Sequence, residues 1–236
     1  GGGGRRAKLA PRKAAPPAPS PFAARAEQPP AVTRAYSVLR RCTGDLGGNA
    51  GGGPIYGELT QGSMQKVVDI LKSKCDFDER STFIDVGSGL GKPSFHVAQD
   101  PGVALSFGIE LEEIRWTLSM QNLAAYLEAA TGEEGPRLGT SVNFLCGDIE
   151  RAETMDPFTH VYQYDLGFPP DLQQSIARKF NAAVVSRYLV SYRPPRRVVH
   201  EYGYHVELVD KVSTRMFGSG EVHTAYIYRK ADQRIA

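Results

Sequence analysis

The pattern of apolar and polar positions predicts alternating strands and helices from residue 55 onward. Short apolar runs rich in β-branched residues, which are typical of buried strands, are separated by longer segments with apolar residues at helical spacing. Met64, Val67, Val68 and Leu71 fall at i, i+3, i+4 and i+7, which predicts a helix with one apolar face over 61–74. The other predicted elements are strands at 81–86, 104–110, 142–146, 159–165 and 183–186 and helices at 94–99, 111–130 and 171–180.

The C-terminal part of the chain predicts a hairpin rather than another strand–helix unit. Two β-rich runs, 204–214 and 221–229, are joined by a short segment with two glycines. Strand–helix alternation closed by a hairpin implies an α/β, doubly wound, mostly parallel sheet of seven strands with one antiparallel strand. We expect this domain to cover residues 54–236.

Residues 1–53 are predicted to be a disordered basic arm and a glycine-rich linker. The first 35 residues are rich in Ala, Pro, Gly and Arg and have little to bury. Residues 1–41 contain nine Lys/Arg and one acid, whereas the rest contains 19 basic and 25 acidic residues, so the net charge of +2 hides a basic arm before an acidic body. Such an arm can contact nucleic acid. An inert solubilising tail or an organelle transit peptide also fits this composition.

Composition excludes several classes of protein. No apolar run approaches the ~20 residues that cross a bilayer, so no membrane span or membrane partner is expected. Cys42, Cys75 and Cys146 form no C-x-x-C pair, which favours a reduced intracellular compartment over a disulfide framework or structural zinc. The five histidines lack ligand spacing, so no metal is predicted. The first residue is not Met, so we expect a fragment or a processed chain.

A glycine loop follows the first predicted strand. Asp85 precedes Gly87, Gly89 and Gly91, with Ser88 between the first two glycines. Glycines allow the backbone to turn sharply and to approach a ligand closely. The helix that follows offers free N–H groups and a partial positive charge. By itself the loop fits a nucleotide site, a methyl-donor site or a tight turn, but its G-x-G-x-G spacing differs from the dinucleotide pattern.

Acidic residues stand at the ends of four predicted strands. They are Asp85, Glu110, Asp148 and Asp165. Glu110 lies near the ~20-residue offset at which a carboxylate meets a ribose in such folds. Because ligands of doubly wound sheets bind at the carboxyl ends of the strands, the four acids predict a site there.

The order of several motifs resembles one family. The motifs are Tyr56-Gly57-Glu58-Leu59 with the helix after it, the loop Asp85–Gly91, Gly108-Ile109-Glu110, and Gly147-Asp148. This set resembles the disruptor-of-telomeric-silencing family, the histone-lysine methyltransferases built on the Rossmann-like class I fold rather than on a SET domain. The likeness covers roughly residues 54–191. The Tyr-Gly-Glu loop is its most specific part, since many methyltransferases share the glycine loop.

The resemblance implies S-adenosylmethionine as cofactor. It implies that the loop with Tyr56 and Glu58 closes over the methionine part of the donor. Glu110 would then accept hydrogen bonds from both ribose hydroxyls, and Asp148 would bond the adenine amino group. The remaining cofactor-binding residues would be those of the glycine loop, Asp85, Gly87, Ser88, Gly89 and Gly91.

The chain departs from the family after the fourth predicted strand. Where the family has Asn-Asn-Phe-Ala-Phe, this chain has Tyr164-Asp165-Leu166-Gly167-Phe168. The first Asn, which lies beside the methyl group, aligns with Tyr164, and only Phe168 is retained. Tyr164, Asp165 and Phe168 are therefore the candidate catalytic residues.

Two interpretations of function follow. The resemblance implies a protein-lysine methyltransferase that acts on a histone or nucleosome in the nucleus. The alternative is a class I methyltransferase for a nucleic acid or a small molecule, because residues 165–170 distantly resemble the Asp-Pro-Pro-Tyr motif of amino-methylating enzymes.

Overall fold

The computed structural model describes residues 28–44, 57–132 and 135–231. The helices are α1 Pro30–Thr43, α2 Gln61–Lys74, α3 Lys92–Gln99, α4 Glu113–Ala129 and α5 Pro170–Ala182. The strands are β1 Thr82–Val86, β2 Leu105–Glu110, β3 Ser141–Cys146, β4 His160–Gln163, β5 Tyr188–Ser191, β6 Val206–Arg215 and β7 Val222–Lys230. Within these ranges, no helix has the length and apolar character that crossing a membrane requires.

The strands form one seven-stranded sheet in the order β3-β2-β1-β4-β5-β7-β6. β1 to β5 are parallel to one another, and β7 runs antiparallel to both β5 and β6. The predicted doubly wound, mostly parallel sheet with a C-terminal antiparallel hairpin is therefore confirmed.

The central strands divide their side chains between two apolar clusters. Phe83 and Tyr162 belong to the cluster that contains α2, whereas Ile84 and Val161 belong to the cluster that contains α5. Because successive residues of a strand point to opposite faces, helices cover both faces of the sheet. This packing leaves the carboxyl ends of the parallel strands as an edge where loops meet.

Helix α1 lies inside the segment that was predicted to be disordered. Val32, Ala35 and Leu39 are fully buried, and Ala35 and Leu39 pack with Phe95 of α3 and Tyr126 of α4. The prediction of a disordered arm over 1–53 is thus wrong for residues 30–43. Apolar side chains at i, i+3 and i+7 give this helix its buried face, and Pro30 suits its first position. The rest of the predicted arm and linker, 1–27 and 45–53, lies outside the described residues.

Strand β5 lies five residues beyond its predicted position. The predicted run, 183–186, forms a turn in which Val184 and Val185 are exposed. Their backbone N–H groups donate to the Asp156 carboxylate over 2.8 and 2.7 Å. These bonds satisfy the two donors outside the sheet, so the apolar run does not enter it.

Candidate functional site

Two neighbouring cavities lie at the carboxyl ends of β1, β2 and β4. They share Gly57, Gly87 and Tyr164 in their walls. The larger one, of about 590 Å³, is bordered by Glu110, Asp148 and Phe168 among others. The smaller one is lined by residues from α1, the 57–59 segment, the glycine loop and β4: Tyr36, Gly57, Glu58, Leu59, Met64, Asp85, Gly87, Ser88, Lys92, Pro93, Tyr162 and Tyr164.

Asp85 brings a buried carboxyl group with one unpaired oxygen to the smaller cavity. It is only 2% exposed, and its Oδ2 atom has no hydrogen-bond partner among the described residues. Burial raises the pKa of Asp85 well above its usual range, and the nearby Glu110 charge raises it further. A buried carboxylate oxygen without a donor is costly. This arrangement therefore suits a ligand that supplies an N–H or O–H group.

The glycine loop has the conformation that its spacing predicts. Gly87, Gly89 and Gly91 have φ values of 75°, 54° and 84°, in the left-handed region that favours glycine. A Cβ atom on Gly87 would lie 3.1 Å from the Phe168 ring. The absence of a side chain at Gly87 therefore allows the Phe168 ring to pack directly against the loop backbone. Ser88 lines the smaller cavity beside Gly87. Of the loop, Gly87 thus lines both cavities and Ser88 lines the smaller one, whereas Gly89 and Gly91 line neither.

Glu110 and Asp148 border the larger cavity from the ends of β2 and β3. The Glu110 carboxylate accepts hydrogen bonds from the N–H groups of Gly89 (2.7 Å) and Glu112 (2.9 Å). Asp148 accepts from the Glu150 N–H over 2.8 Å and begins a short helical turn. Each carboxylate is fixed by backbone donors and keeps free lone pairs. The structure therefore places both predicted acids where they can accept further hydrogen bonds from a ligand.

Residues 57–60 are held against the tip of the β6–β7 hairpin, and we call this pairing the clasp. The N–H of Phe217 donates to the Glu58 carbonyl over 2.7 Å, and the N–H of Thr60 donates to the Arg215 carbonyl over 3.0 Å. The Glu58 side chain is buried and forms an ion pair with Lys92, the first residue of α3. The clasp therefore links the glycine-loop region to the hairpin.

A ligand in the smaller cavity should stabilise the clasp. We expect amide hydrogen exchange of residues 57–60 to slow when S-adenosylhomocysteine is added, because Gly57 and Glu58 line that cavity. Tyr56, predicted to belong to the same loop, lies outside the described residues. A Lys92→Ala variant, which lacks the ion pair with Glu58, serves as the comparison and should exchange faster without ligand. Exchange that does not change on adding ligand would count against a closing role for the segment.

Tyr164 stands at the junction of the two cavities. Its ring centroid lies 4.6 Å from that of Tyr192 and 6.2 Å from that of His223. Burial, followed by the Glu221 and Asp165 charges, raises the pKa of Tyr164 to about 12, so its phenol is neutral at physiological pH. With Phe168 in the wall of the larger cavity, Tyr164 makes the junction aromatic.

Asp165 does not line either cavity. Its carboxylate is fully buried and accepts from the Ser191 hydroxyl (2.5 Å), the Tyr192 N–H (2.8 Å) and the Gln173 amide (3.0 Å). Burial raises the pKa of Asp165, whereas these hydrogen bonds act in the opposite direction. The residue joins β4 to β5 and α5. Its geometry gives no support to the predicted catalytic role.

Tyr36 and Lys92 were not among the predicted site residues. Lys92 directly follows the third glycine of the loop, which is a sequence signal for a residue near the ligand. Tyr36 gave no such signal, because it lies on α1 in a segment whose composition predicted disorder. Both side chains line the smaller cavity.

The cavity walls are rich in acids. Six carboxylates border the two cavities, against two cations. The acids are Glu58, Asp85, Glu110, Glu112, Asp148 and Glu150, and the cations are Lys92 and Arg115. Over the part of the chain that is described, no group of three or more His, Cys, Asp or Glu side chains is arranged to hold a metal ion.

Several solved structures are similar to this chain. A proposed RNA methyltransferase, PH1948 from Pyrococcus horikoshii, is 14% identical with a TM-score of 0.54, over 84% of this chain and 99% of that one. A variant of MtNAS in complex with S-adenosylmethionine is 13% identical with a TM-score of 0.52, over 86% and 72%. A proposed tRNA methyltransferase from Streptococcus pneumoniae is 11% identical with a TM-score of 0.50, over 72% of each chain. Together with the glycine loop, these similarities define the class I methyltransferase fold.

A family profile also matches part of the chain. The profile of the histone methylation protein DOT1 family matches residues 49–138, which include the glycine loop and Glu110. The chain is therefore a class I methyltransferase by fold that resembles the DOT1 family, as the sequence motifs predicted. S-adenosylmethionine is the cofactor that this fold indicates, in agreement with the prediction. No curated protein sequence matches the chain.

Proposed function

We propose that this chain transfers a methyl group from S-adenosylmethionine to the side-chain amine of a protein lysine, with a histone in the nucleosome as substrate. The observation that carries the proposal is the excess of acids at the site, six carboxylates against two cations. A cleft lined mainly by one sign of charge attracts a lysine-rich segment to its mouth and repels a phosphate backbone. The match to the histone methylation family supports the same substrate class.

We assign the two cavities to the two halves of the cofactor. At about 590 Å³, the larger cavity has the size of an ordinary ligand site and suits the nucleoside. There Glu110 would accept hydrogen bonds from the ribose hydroxyls and Asp148 from the adenine amino group. The smaller cavity, with the unpaired oxygen of Asp85, suits the amino-acid part. Glu58 and the glycine loop would enclose that part from either side.

The aromatic junction suits a neutral amine as nucleophile. When bound, S-adenosylmethionine supplies an electrophilic methyl group on its sulfonium. Tyr164 and Phe168 would exclude water around the acceptor. A lysine ammonium in such surroundings loses its proton more readily, because burial disfavours the charged form. Orientation of the amine toward the methyl group would provide much of the remaining acceleration.

The alternative acceptors are a nucleic acid and a small molecule. The sequence feature that suggested them is the run from Asp165 to Pro170. That interpretation needs a carboxylate beside the reacting amino group, whereas the Asp165 carboxylate is enclosed by donors of β5 and α5. The lysine proposal is therefore preferred.

The substrate class can be tested directly. We expect radiolabel from S-adenosylmethionine to appear on histones when the protein is incubated separately with histones, nucleosomes, DNA, RNA and small metabolites. Mass spectrometry should locate the methyl group on a lysine. A Glu110→Ala variant serves as the control for label that is independent of this site. Label on RNA, DNA or a small molecule instead of protein would refute the lysine proposal while retaining the methyltransferase.

A chromatin substrate would place the protein in the nucleus. The competing location is an organelle, to which the N-terminal arm would direct the protein. The basic arm, 1–41, would then contact nucleosomal DNA beside the acidic site. Arg40 and Arg41, exposed in the last turn of α1, are the described part of its basic charge that points into solvent.

A further inference from the structure

A series of hydrogen bonds runs through the layer of helices α1, α2 and α3, from the exposed Asp69 to the smaller cavity. The Gln65 amide nitrogen contacts the carboxylates of Asp69 (2.9 Å) and Asp100 (2.6 Å). The Gln65 carbonyl oxygen lies 2.9 Å from His96 Nε2. His96 Nδ1 lies 3.2 Å from the Tyr36 hydroxyl, and Tyr36 lines the cavity. Five residues, from α1, α2, α3 and the position directly after α3, thus share one polar path through an apolar layer.

The carboxylates of Asp69 and Asp100 determine which atom donates in every hydrogen bond of this series. Carboxylates only accept, so the Gln65 nitrogen must face Asp69 and Asp100, and its oxygen must face His96. His96 therefore carries its proton on Nε2 and donates to Gln65. Burial lowers the pKa of His96 to about 3, so the imidazole is neutral and Nδ1 is an acceptor. The Tyr36 hydroxyl must then donate its only proton to His96.

The consequence is that Tyr36 has only acceptor capacity left for the cavity. Burial, with the charges of Glu58 and Asp85, raises the pKa of Tyr36, so its phenol stays protonated. Asp85 adds a second acceptor once a cationic ligand lies beside it, because a neighbouring positive charge favours the ionised carboxylate and its Oδ2 atom has no partner among the described residues. Two buried acceptors in one small cavity suit a group with several N–H donors and a positive charge.

We propose that the Tyr36 hydroxyl oxygen and Asp85 Oδ2 together accept hydrogen bonds from the α-ammonium of the methionine part of the methyl donor, and that His96 fixes Tyr36 in the acceptor orientation. This inference rests on the proposed function. It makes α1 a part of the cofactor site. Tyr36 is a binding residue here, and His96 and Gln65 are positioning residues.

The test compares two ligands that differ only at the ammonium. By calorimetry, Tyr36→Phe should weaken binding of S-adenosylhomocysteine by about tenfold, the loss typical of one hydrogen bond to a charged group. Binding of the analogue without the α-amino group should not change. Tyr126→Phe is the matched control, because its phenol is also buried and hydrogen-bonded, to the Arg137 carbonyl, but lies outside both cavities. Tyr126→Phe should bind both ligands as the parent does.

Three outcomes would overturn the inference. Unchanged affinity of Tyr36→Phe for S-adenosylhomocysteine would exclude the contact. An equal loss for both ligands would assign Tyr36 a structural role only. If the parent does not bind S-adenosylhomocysteine at all, the proposed function fails and this inference fails with it.

A measurement on the unaltered protein tests the orientation independently of any variant. Nitrogen NMR of the His96 ring should show the tautomer with its proton on Nε2, both with and without ligand. The opposite tautomer would leave the Tyr36 hydroxyl free to donate into the cavity, and that result would overturn the proposal even if Tyr36→Phe did not fold.

Discussion

Replacing Glu110 with alanine should weaken binding of S-adenosylhomocysteine at least tenfold. If the carboxylate accepts from the two ribose hydroxyls, each charge-assisted bond contributes roughly 1.5–3 kcal/mol. The same carboxylate holds the N–H groups of Gly89 and Glu112, so the variant also loses the tie between the glycine loop and β2. Both effects act in the same direction. Calorimetry on parent and variant measures the loss.

Two further variants separate these effects. Glu110→Gln keeps one acceptor oxygen and adds a donor, so it should lose less affinity than Glu110→Ala. Glu113→Ala removes an exposed acid from the first turn of α4, outside both cavities, and should leave affinity unchanged. Equal affinity of the parent and Glu110→Ala would show that Glu110 does not contact the donor.

Shortening Leu39 to alanine should lower the free energy of unfolding by about 2–5 kcal/mol. This side chain is fully buried between α1, α3 and α4, and a large-to-small change there removes apolar contacts and leaves a cavity. Arg40→Ala, on the exposed side of the same helix, should change stability by less than about 0.5 kcal/mol. Urea unfolding followed by circular dichroism measures both.

The same measurement defines where the folded part begins. A chain that starts at Gln28 should be as stable as the whole chain, whereas a chain that starts at Arg41 lacks most of α1 and should be destabilised by more than Leu39→Ala. Equal stability of all these chains would show that α1 contributes nothing to the fold. Any study of the basic arm therefore needs the boundary at Gln28, since a start at Arg41 removes most of α1 and with it Tyr36, which lines the smaller cavity.

The sequence predicted most of the elements that border the site. The glycine loop was predictable because positive φ values favour glycine at its positions. Glu110 was predictable from its distance along the sequence, about 20 residues, from the glycine loop. Strand β5 was misplaced because Asp156, 28 and 29 residues from its two partners, captures the N–H groups of Val184 and Val185. A side chain so distant in sequence leaves no local signal.

The residues on which the sequence and the structure point in different directions, Asp165 and Tyr36, have a similar explanation. Asp165 looked catalytic because it follows a strand, yet its side chain turns toward Ser191 and Gln173 rather than toward the cavities. Tyr36 was overlooked because proline and arginine before α1 mask a short amphipathic pattern. In both cases tertiary contacts, not local sequence, decide which side chains line the cavities.

The clasp connects the smaller cavity with the hairpin tip, and this connection has a thermodynamic consequence for binding. One of its sides, residues 57–60, borders the smaller cavity, and the other is the hairpin tip, where Phe217 is 45% exposed above Lys92. If the acceptor contacts the hairpin tip, a donor that stabilises the first side also reduces the entropy that the acceptor must spend in ordering the second. Linkage is reciprocal, so the factor by which donor tightens acceptor equals the factor by which acceptor tightens donor. Cofactor and substrate would then bind to one cooperative unit rather than to two independent sites.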